Sequence, residues 1–173
     1  MSQWNPYNVY LMHLRIDRNG TIVDPNLVSD PSFERATTLG DGTNGTWGGG
    51  KPNSGGIDNV PAGGFTGDHR AFVRYNQGWR DLWQDVAVQP HTSYRPTGFL
   101  RTSVNSDVGY FGARSLDGTV ISEAHFVSVG AWTRFTVTFD SGDRDTVQLY
   151  GGVWTNSGDI WMQLDDVALV RVP

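Results

Sequence analysis

The side chains with the most to offer another molecule in this chain are aromatic. Its 173 residues include 7 Trp, 6 Tyr and 8 Phe, more ring area than one sandwich core needs, and a large indole is seldom fully buried. Trp79, Trp83, Tyr110, Tyr150, Trp154 and Trp161 fall at expected loop tips or on the side of a strand opposite its Val, Leu and Ile. Such a ring is a flat apolar platform that suits the flat C–H face of a sugar. Covering one ring yields very roughly 2–4 kcal/mol before the costs of association. One or two platforms therefore predict dissociation constants of about millimolar to micromolar. The competing reading packs these rings under Gly-rich loops or at a subunit contact, and leaves a purely structural assembly protein without sugar binding. Arg101 and Arg114, expected on strands next to Tyr110, would bind sugar hydroxyls or a carboxylate, or form surface ion pairs with a nearby Asp.

Bond-making chemistry finds little support. There is no Gly-x-Ser-x-Gly elbow, no phosphate loop, no His-Glu-x-x-His and no cysteine. His13, His69, His91 and His125 are scattered without metal-ligand spacing. No pair of acids can be singled out among so many Asp residues for glycoside hydrolysis, so an enzyme is not expected. The net charge of -5 comes without a basic cluster, which argues against nucleic acid as a partner. No segment approaches a membrane span. The start, MSQWNPYNVY, lacks the basic and apolar regions of a signal peptide. The expectation is either a protein that leaves its cell by another route or a piece of a longer secreted one.

These side chains need strands to hold them. Gly 22 and Pro 8 with little helical periodicity suit many short strands joined by turns. Val9 to Asp17 alternates, with Tyr10, Met12, Leu14 and Ile16 on one face; Arg18-Asn19-Gly20 is a hairpin turn and Thr21-Ile22-Val23 the return. Residues 1–25 are thus expected to form an arm whose apolar face seeks a partner, and residues 26–173 the domain proper. Short strands are expected at Leu27-Val28 and Ser32-Phe33-Glu34, around the Pro31 bend. Residues 40–68 read as a long Gly-rich connection with only Thr46-Trp47 extended and Trp47 packed inward. Strands follow at 70–75, 82–88, 94–102, 108–114, 119–126, 132–139, 146–154 and 160–170. Alternation turns Phe135, Val137, Phe139, Val147, Leu149, Ile160, Met162 and Leu164 inward, and Gln148, Tyr150, Trp161 and Gln163 outward.

The order of certain phrases adds a resemblance. Asn26-Leu27-Val28 with Pro31-Ser32-Phe33-Glu34 opens the domain, Gln84-Asp85-Val86, Pro90 and Tyr94 mark its middle, and Trp132 to Phe139 and Leu164-Asp165-Asp166-Val167-Ala168-Leu169 close it. Over residues 26 to 170 this resembles bacterial carbohydrate-binding modules of the galactose-binding-like β-jelly-roll superfamily, and similar domains of phage tail and capsid-surface proteins. The hairpin at 9–23 and the length of the 40–68 connection depart from that pattern. The resemblance implies an all-β jelly roll of two antiparallel sheets and a structural calcium ion held by Glu34, the Asp68 region and Asp165 or Asp166. Calcium takes six to eight hard oxygens; otherwise Asp165-Asp166 marks a bulge and Glu34 a solvated edge. It also implies glycan partners in one of two settings. One is a virion surface, with the arm binding other virion proteins or further copies; the other is a secreted polysaccharide-degrading enzyme.

Overall fold

The computed structural model describes residues 15–16, 22–23, 26–50, 54–156 and 158–173. Two antiparallel sheets face one another, and no helix occurs among the described residues. Strands β1 (Arg15–Ile16) and β2 (Ile22–Val23) pair in the register Arg15↔Val23, which is the hairpin expected around Asn19-Gly20. Tyr10, Met12 and Leu14 lie outside the described residues, as does the side chain of Ile16.

The sandwich proper is built from β3 (Gly48–Gly49), β4 (Gly55–Asn59), β5 (His69–Tyr75), β6 (Gly78–Ala87), β7 (Ser93–Thr102), β8 (Val108–Arg114), β9 (Val120–Phe126), β10 (Thr133–Thr136), β11 (Phe139–Asp140), β12 (Thr146–Thr155) and β13 (Ile160–Arg171). One sheet runs β3-β6-β12-β8-β9. The other runs β10-β7-β13-β5-β4, with β11 also on β7. Each strand contributes alternate residues to the interior. From the five-stranded sheet come Leu82, Val86, Phe111, Ala113, Val147, Leu149 and Val153; from the six-stranded sheet come Ala71, Val73, Leu100, Ile160, Met162 and Leu164. All are buried.

The opening segment differs from expectation. Residues 26–36 form bends and turns where two short strands were expected, because side chains supply the hydrogen bonds a ladder would have given. Asn26 Oδ1 accepts the amides of Val28 and Leu169 at 3.0 and 2.9 Å, and its Nδ2 donates to Val167 O at 3.0 Å. Gln84, buried to 1% exposure among apolar neighbours, accepts from Ser29 N at 2.9 Å and donates to Ser29 O at 3.0 Å. Such a buried amide is tolerated because its hydrogen-bonding capacity is met. Phe33 then turns inward with φ 59 and packs 5.0 Å from the Trp47 ring. Trp47 is core, as its sequence context suggested.

Three boundaries also shift. The 40–68 connection carries β3 and β4 where only Thr46-Trp47 was expected to be extended. Residues 132–139 break into β10 and β11 around Val137–Thr138. β6 begins at Gly78, ahead of the expected Leu82, and this draws Trp79 into the sheet.

Candidate functional site

The outer face of the five-stranded sheet can be laid out row by row from its pairing. Trp79, Trp154 and Val108 stand side by side across β6, β12 and β8. The next row is Asp81, Gly152, Tyr110 and His125. After it come Trp83, Tyr150, Gly112 and Glu123, and then Asp85, Gln148 and Arg114. Five of the six sequence-selected rings, and one of the two arginines, meet on this surface.

The glycine in the second row, Gly152, is a gap that a larger residue bridges. A β-carbon on Gly152 would lie 2.3 Å from Trp79 Cζ2, so the indole is laid flat over bare backbone. There its centroid is 5.6 Å from Tyr110 and 6.4 Å from Tyr150, both edge-on, a favoured geometry for aromatic pairs. Trp83 is seated the same way against the 40–48 connection. β-carbons on Gly42 and Gly48 would lie 2.2 and 2.6 Å from its ring, and Gly42 O accepts Asp85 N at 2.7 Å. The glycine richness of that segment is what lets it close over an indole.

Beneath and beside the rings runs a continuous polar network. Arg114 extends across β12, its guanidinium 4.6 Å above the Tyr150 ring, to reach Asp81 at 2.7 Å. Its Nε donates to Gln148 Oε1 at 2.6 Å, and Gln148 Nε2 donates to Asp85 Oδ1 at 2.7 Å. The Tyr150 hydroxyl donates to Glu123, whose other oxygen lies 2.9 Å from His125 Nε2. Burial and the Glu123 carboxylate hold the Tyr150 phenol far above its ordinary range, so it remains a donor. Tyr150 is only 3% exposed; it is the floor of the face and a support for Arg114, and offers no open platform. Trp154 is 44% exposed, and Trp79, Tyr110 and His125 reach solvent with it. The open end of the surface is therefore four rings wide, and the other end is closed by bonded polar groups.

Trp161 and Arg101 are not part of this surface. They sit on β13 and β7 of the other sheet, across the core from Tyr110. Arg101, expected next to Tyr110, is instead beside Gln163, to which its Nε donates at 2.6 Å. The error came from assuming that β7 and β8, neighbours in sequence, share a sheet; the chain crosses between sheets there. Asp81, Gln148, Glu123 and His125 were not selected from the sequence. Two-residue spacing from Trp79 and Tyr150 would have found Asp81 and Gln148.

The acidic residues selected for calcium lie around the stretch of the six-stranded sheet where β13 changes register between Asp165 and Ala168 and Asp166 takes φ 45. Glu34 Oε1 accepts the amides of Asp68 and His69, both at 2.9 Å. Asp165, fully buried, accepts Phe65 N at 2.6 Å and Thr66 N at 3.1 Å on one oxygen and Asp166 N at 2.7 Å on the other. Burial nonetheless pushes its pKa up to about 7. Thr66 Oγ1 donates to Asp166 Oδ1 at 2.8 Å. Asp68 turns its carboxylate away to cap Ala62 N at 2.8 Å. Among the described residues no three acidic or imidazole side chains group closely enough to hold a metal by themselves. Main-chain oxygens are at hand, however. Thr66 O, His69 O and Asp165 Oδ2 lie 2.3, 2.6 and 2.8 Å from the point where a β-carbon on Gly64 would sit. The donors are all hard oxygens, in keeping with calcium's preference and not with that of a softer metal.

No protein-family model and no curated protein matches the sequence. Solved structures do match. A carbohydrate-binding module, TmCBM61, in complex with β-1,4-galactotriose aligns with a TM-score of 0.62 at 16% identity, over 85% of this chain and 99% of that one. The CBM22-1 xylan-binding domain of Paenibacillus barcinonensis Xyn10C aligns at 0.58 and 15%, over 87% and 96%. The enzymatically active domain of bacteriophage CBA120 tailspike protein 4 aligns at 0.55 and 11%, over 85% of this chain and 21% of that one. The fold is thus the jelly roll of carbohydrate-binding modules, as the closing and opening phrases implied.

Gly152→Ala tests the seating of Trp79. The added methyl must lift the indole, at a cost of about 1–3 kcal/mol for overpacking. Urea unfolding should show that loss together with a red-shifted Trp emission; unchanged stability and emission would mean the ring does not rest there.

Proposed function

We propose that this chain is a non-catalytic glycan-binding jelly roll, and that it holds a neutral polysaccharide on the outer face of the five-stranded sheet. The observation that carries this reading is the pairing of open rings with prepositioned polar groups. Trp79, Tyr110 and Trp154 offer stacking surfaces at one end, while Arg114, Gln148 and Asp85 are already fixed by their mutual bonds at 2.6–2.7 Å. Little side-chain freedom remains to be lost on binding, which favours affinity. Asp81, Asp85 and Glu123 outnumber Arg114 there, so an acidic sugar would meet like charge at short range.

The settings foreseen from the sequence remain two. A module of a secreted polysaccharide-degrading enzyme is supported by the full-length likeness to a xylan-binding domain. A virion-surface protein is supported by the tailspike neighbour and by the hairpin pairing of β1 with β2. In that second setting residues 1–25 dock through Tyr10, Met12, Leu14 and Ile16 to virion proteins or to further copies, and residues 26–173 display the binding face.

Calcium belongs to the proposal as a structural clip. Glu34, Asp165 and Asp166, with the main-chain oxygens of Thr66 and His69, would hold it. The ion would supply the positive charge that buried Asp165 lacks and tie the opening segment to β13.

Three measurements test these statements. Titration calorimetry with neutral β-linked oligosaccharides should give micromolar to millimolar binding, weakened about tenfold, or 1.4 kcal/mol, by Trp154→Ala or Tyr110→Ala. No binding at millimolar ligand, or wild-type affinity in both variants, would overturn the reading. Calcium at 100-fold above its Kd should stabilise the protein over a chelated sample by about 2.7 kcal/mol, and Glu34→Gln should remove most of that gain; equal melting with and without calcium removes the clip. Light scattering should show an oligomer that residues 26–173 alone do not form, if the arm assembles; a monomer in both cases favours the enzyme module.

A further inference from the structure

The outer face of the six-stranded sheet carries its own cluster, separate from the proposed glycan face by the thickness of the core. Arg101 lies in β7 opposite Gln163 of β13. Its guanidinium is 4.6 Å from the centroid of the Trp132 ring, its Nε donates to Gln163 Oε1 at 2.6 Å, and its Nη2 donates to Gly63 O at 3.3 Å. Both acceptors are neutral. Among the described residues no carboxylate pairs with Arg101.

The nearest acid is already shared. Asp58 Oδ2 takes Arg70 Nη2 at 3.2 Å and Gln163 Nε2 at 3.3 Å. Arg70 is 8% exposed, and its Nε and Nη1 are buried without a hydrogen-bond partner. Arg74 on the same strand is matched by Asp159. The Arg70–Asp58–Gln163–Arg101 chain therefore holds two guanidinium groups against one carboxylate. It leaves one uncompensated positive charge on a protein whose net charge is -5. A planar guanidinium stacked on an indole and fixed at Nε is the geometry that receives a carboxylate in two-point fashion.

The surroundings narrow the carboxylate's carrier. Trp161 projects from β13 two residues before Gln163, on the same side and opposite Arg74, and is partly exposed. Phe72 stands beside Gln163 on β5. A partly open indole next to a charged fork suits a ring with an apolar C–H face and an acid group at its edge. We propose that this surface is a second binding site, for hexuronic-acid residues of an acidic glycan, with Arg101 reading the carboxylate and Trp161 the sugar ring. Its charge preference is the opposite of that on the five-stranded face, and it does not depend on that face binding anything.

The test uses the full chain, tetragalacturonate, its methyl ester and a glutamate peptide of equal charge, titrated at low ionic strength. Tetragalacturonate should bind at least tenfold more tightly than either the ester or the peptide. Arg101→Met and Trp161→Ala should each weaken it at least tenfold, with the variants' folding checked by circular dichroism. Trp154→Ala, on the far sheet, should leave it unchanged. Equal binding of acid and ester overturns the role of the charge, and equal binding of the peptide overturns the role of the sugar ring. Loss of acid binding in Trp154→Ala, or none in the wild type, overturns the site altogether. Because Tyr110→Ala and Trp154→Ala report on the five-stranded face and Arg101→Met and Trp161→Ala on this one, failure there and failure here remain distinguishable.

Discussion

Everything in this molecule follows from the two-residue period of an extended strand, used on both sides at once. β12, in the middle of its sheet, sends Val147, Leu149 and Val153 into the core and Gln148, Tyr150 and Trp154 to the other side. A slip of one residue would exchange the two sets, exposing the core residues and burying Gln148. Core packing against Leu82, Val86, Phe111 and Ala113 therefore fixes the outer surface as firmly as it fixes the interior. The outer rings need no separate means of alignment.

Upon that register, hydrogen bonds remove the freedom that remains. Arg114 is held at Asp81, Gln148 and the Tyr150 ring together, and on the other sheet Gln163 is oriented from both ends, by Arg101 and Asp58. The Arg114 network, bonded at each of its members, leaves few alternative arrangements. The two faces differ in charge balance, not in design. One has more carboxylates than cations, the other more guanidinium groups than carboxylates. Each sheet is thus a rigid panel of aromatic and polar side chains, and the difference in sign separates what each panel would accept.

Much of this was legible in the sequence, and the unread parts have physical causes. Alternation located β8 to the residue and the long strands β7, β12 and β13 to within a residue at either end, since the inner set of each is mostly apolar. It missed the start of β6 because Gly78-Trp79-Arg80-Asp81 shows no apolar inner residue; Arg80 occupies an inward position next to Leu82. It missed β3 and β4 because glycine has no side chain to alternate. Which strands share a sheet was the larger gap. Trp79 and Trp154, 75 positions apart, meet through β6–β12 pairing, and Arg101 and Arg114, 13 positions apart, end on opposite sides of the core. Faces can be read from local pattern; neighbours cannot.

The Asn26 latch has one more consequence. It fastens the first residues of the sandwich to Val167 and Leu169, a few positions before β13 ends at Arg171. The first described residues of the sandwich and the last of β13 are therefore adjacent, at one end of the six-stranded sheet. Asn26 and Arg171 share that end. The ringed end of the five-stranded sheet hangs free of it. A domain tethered in this way can be strung between other units, or inserted in a loop of one, without either connection crossing the surface that Trp79, Tyr110 and Trp154 occupy.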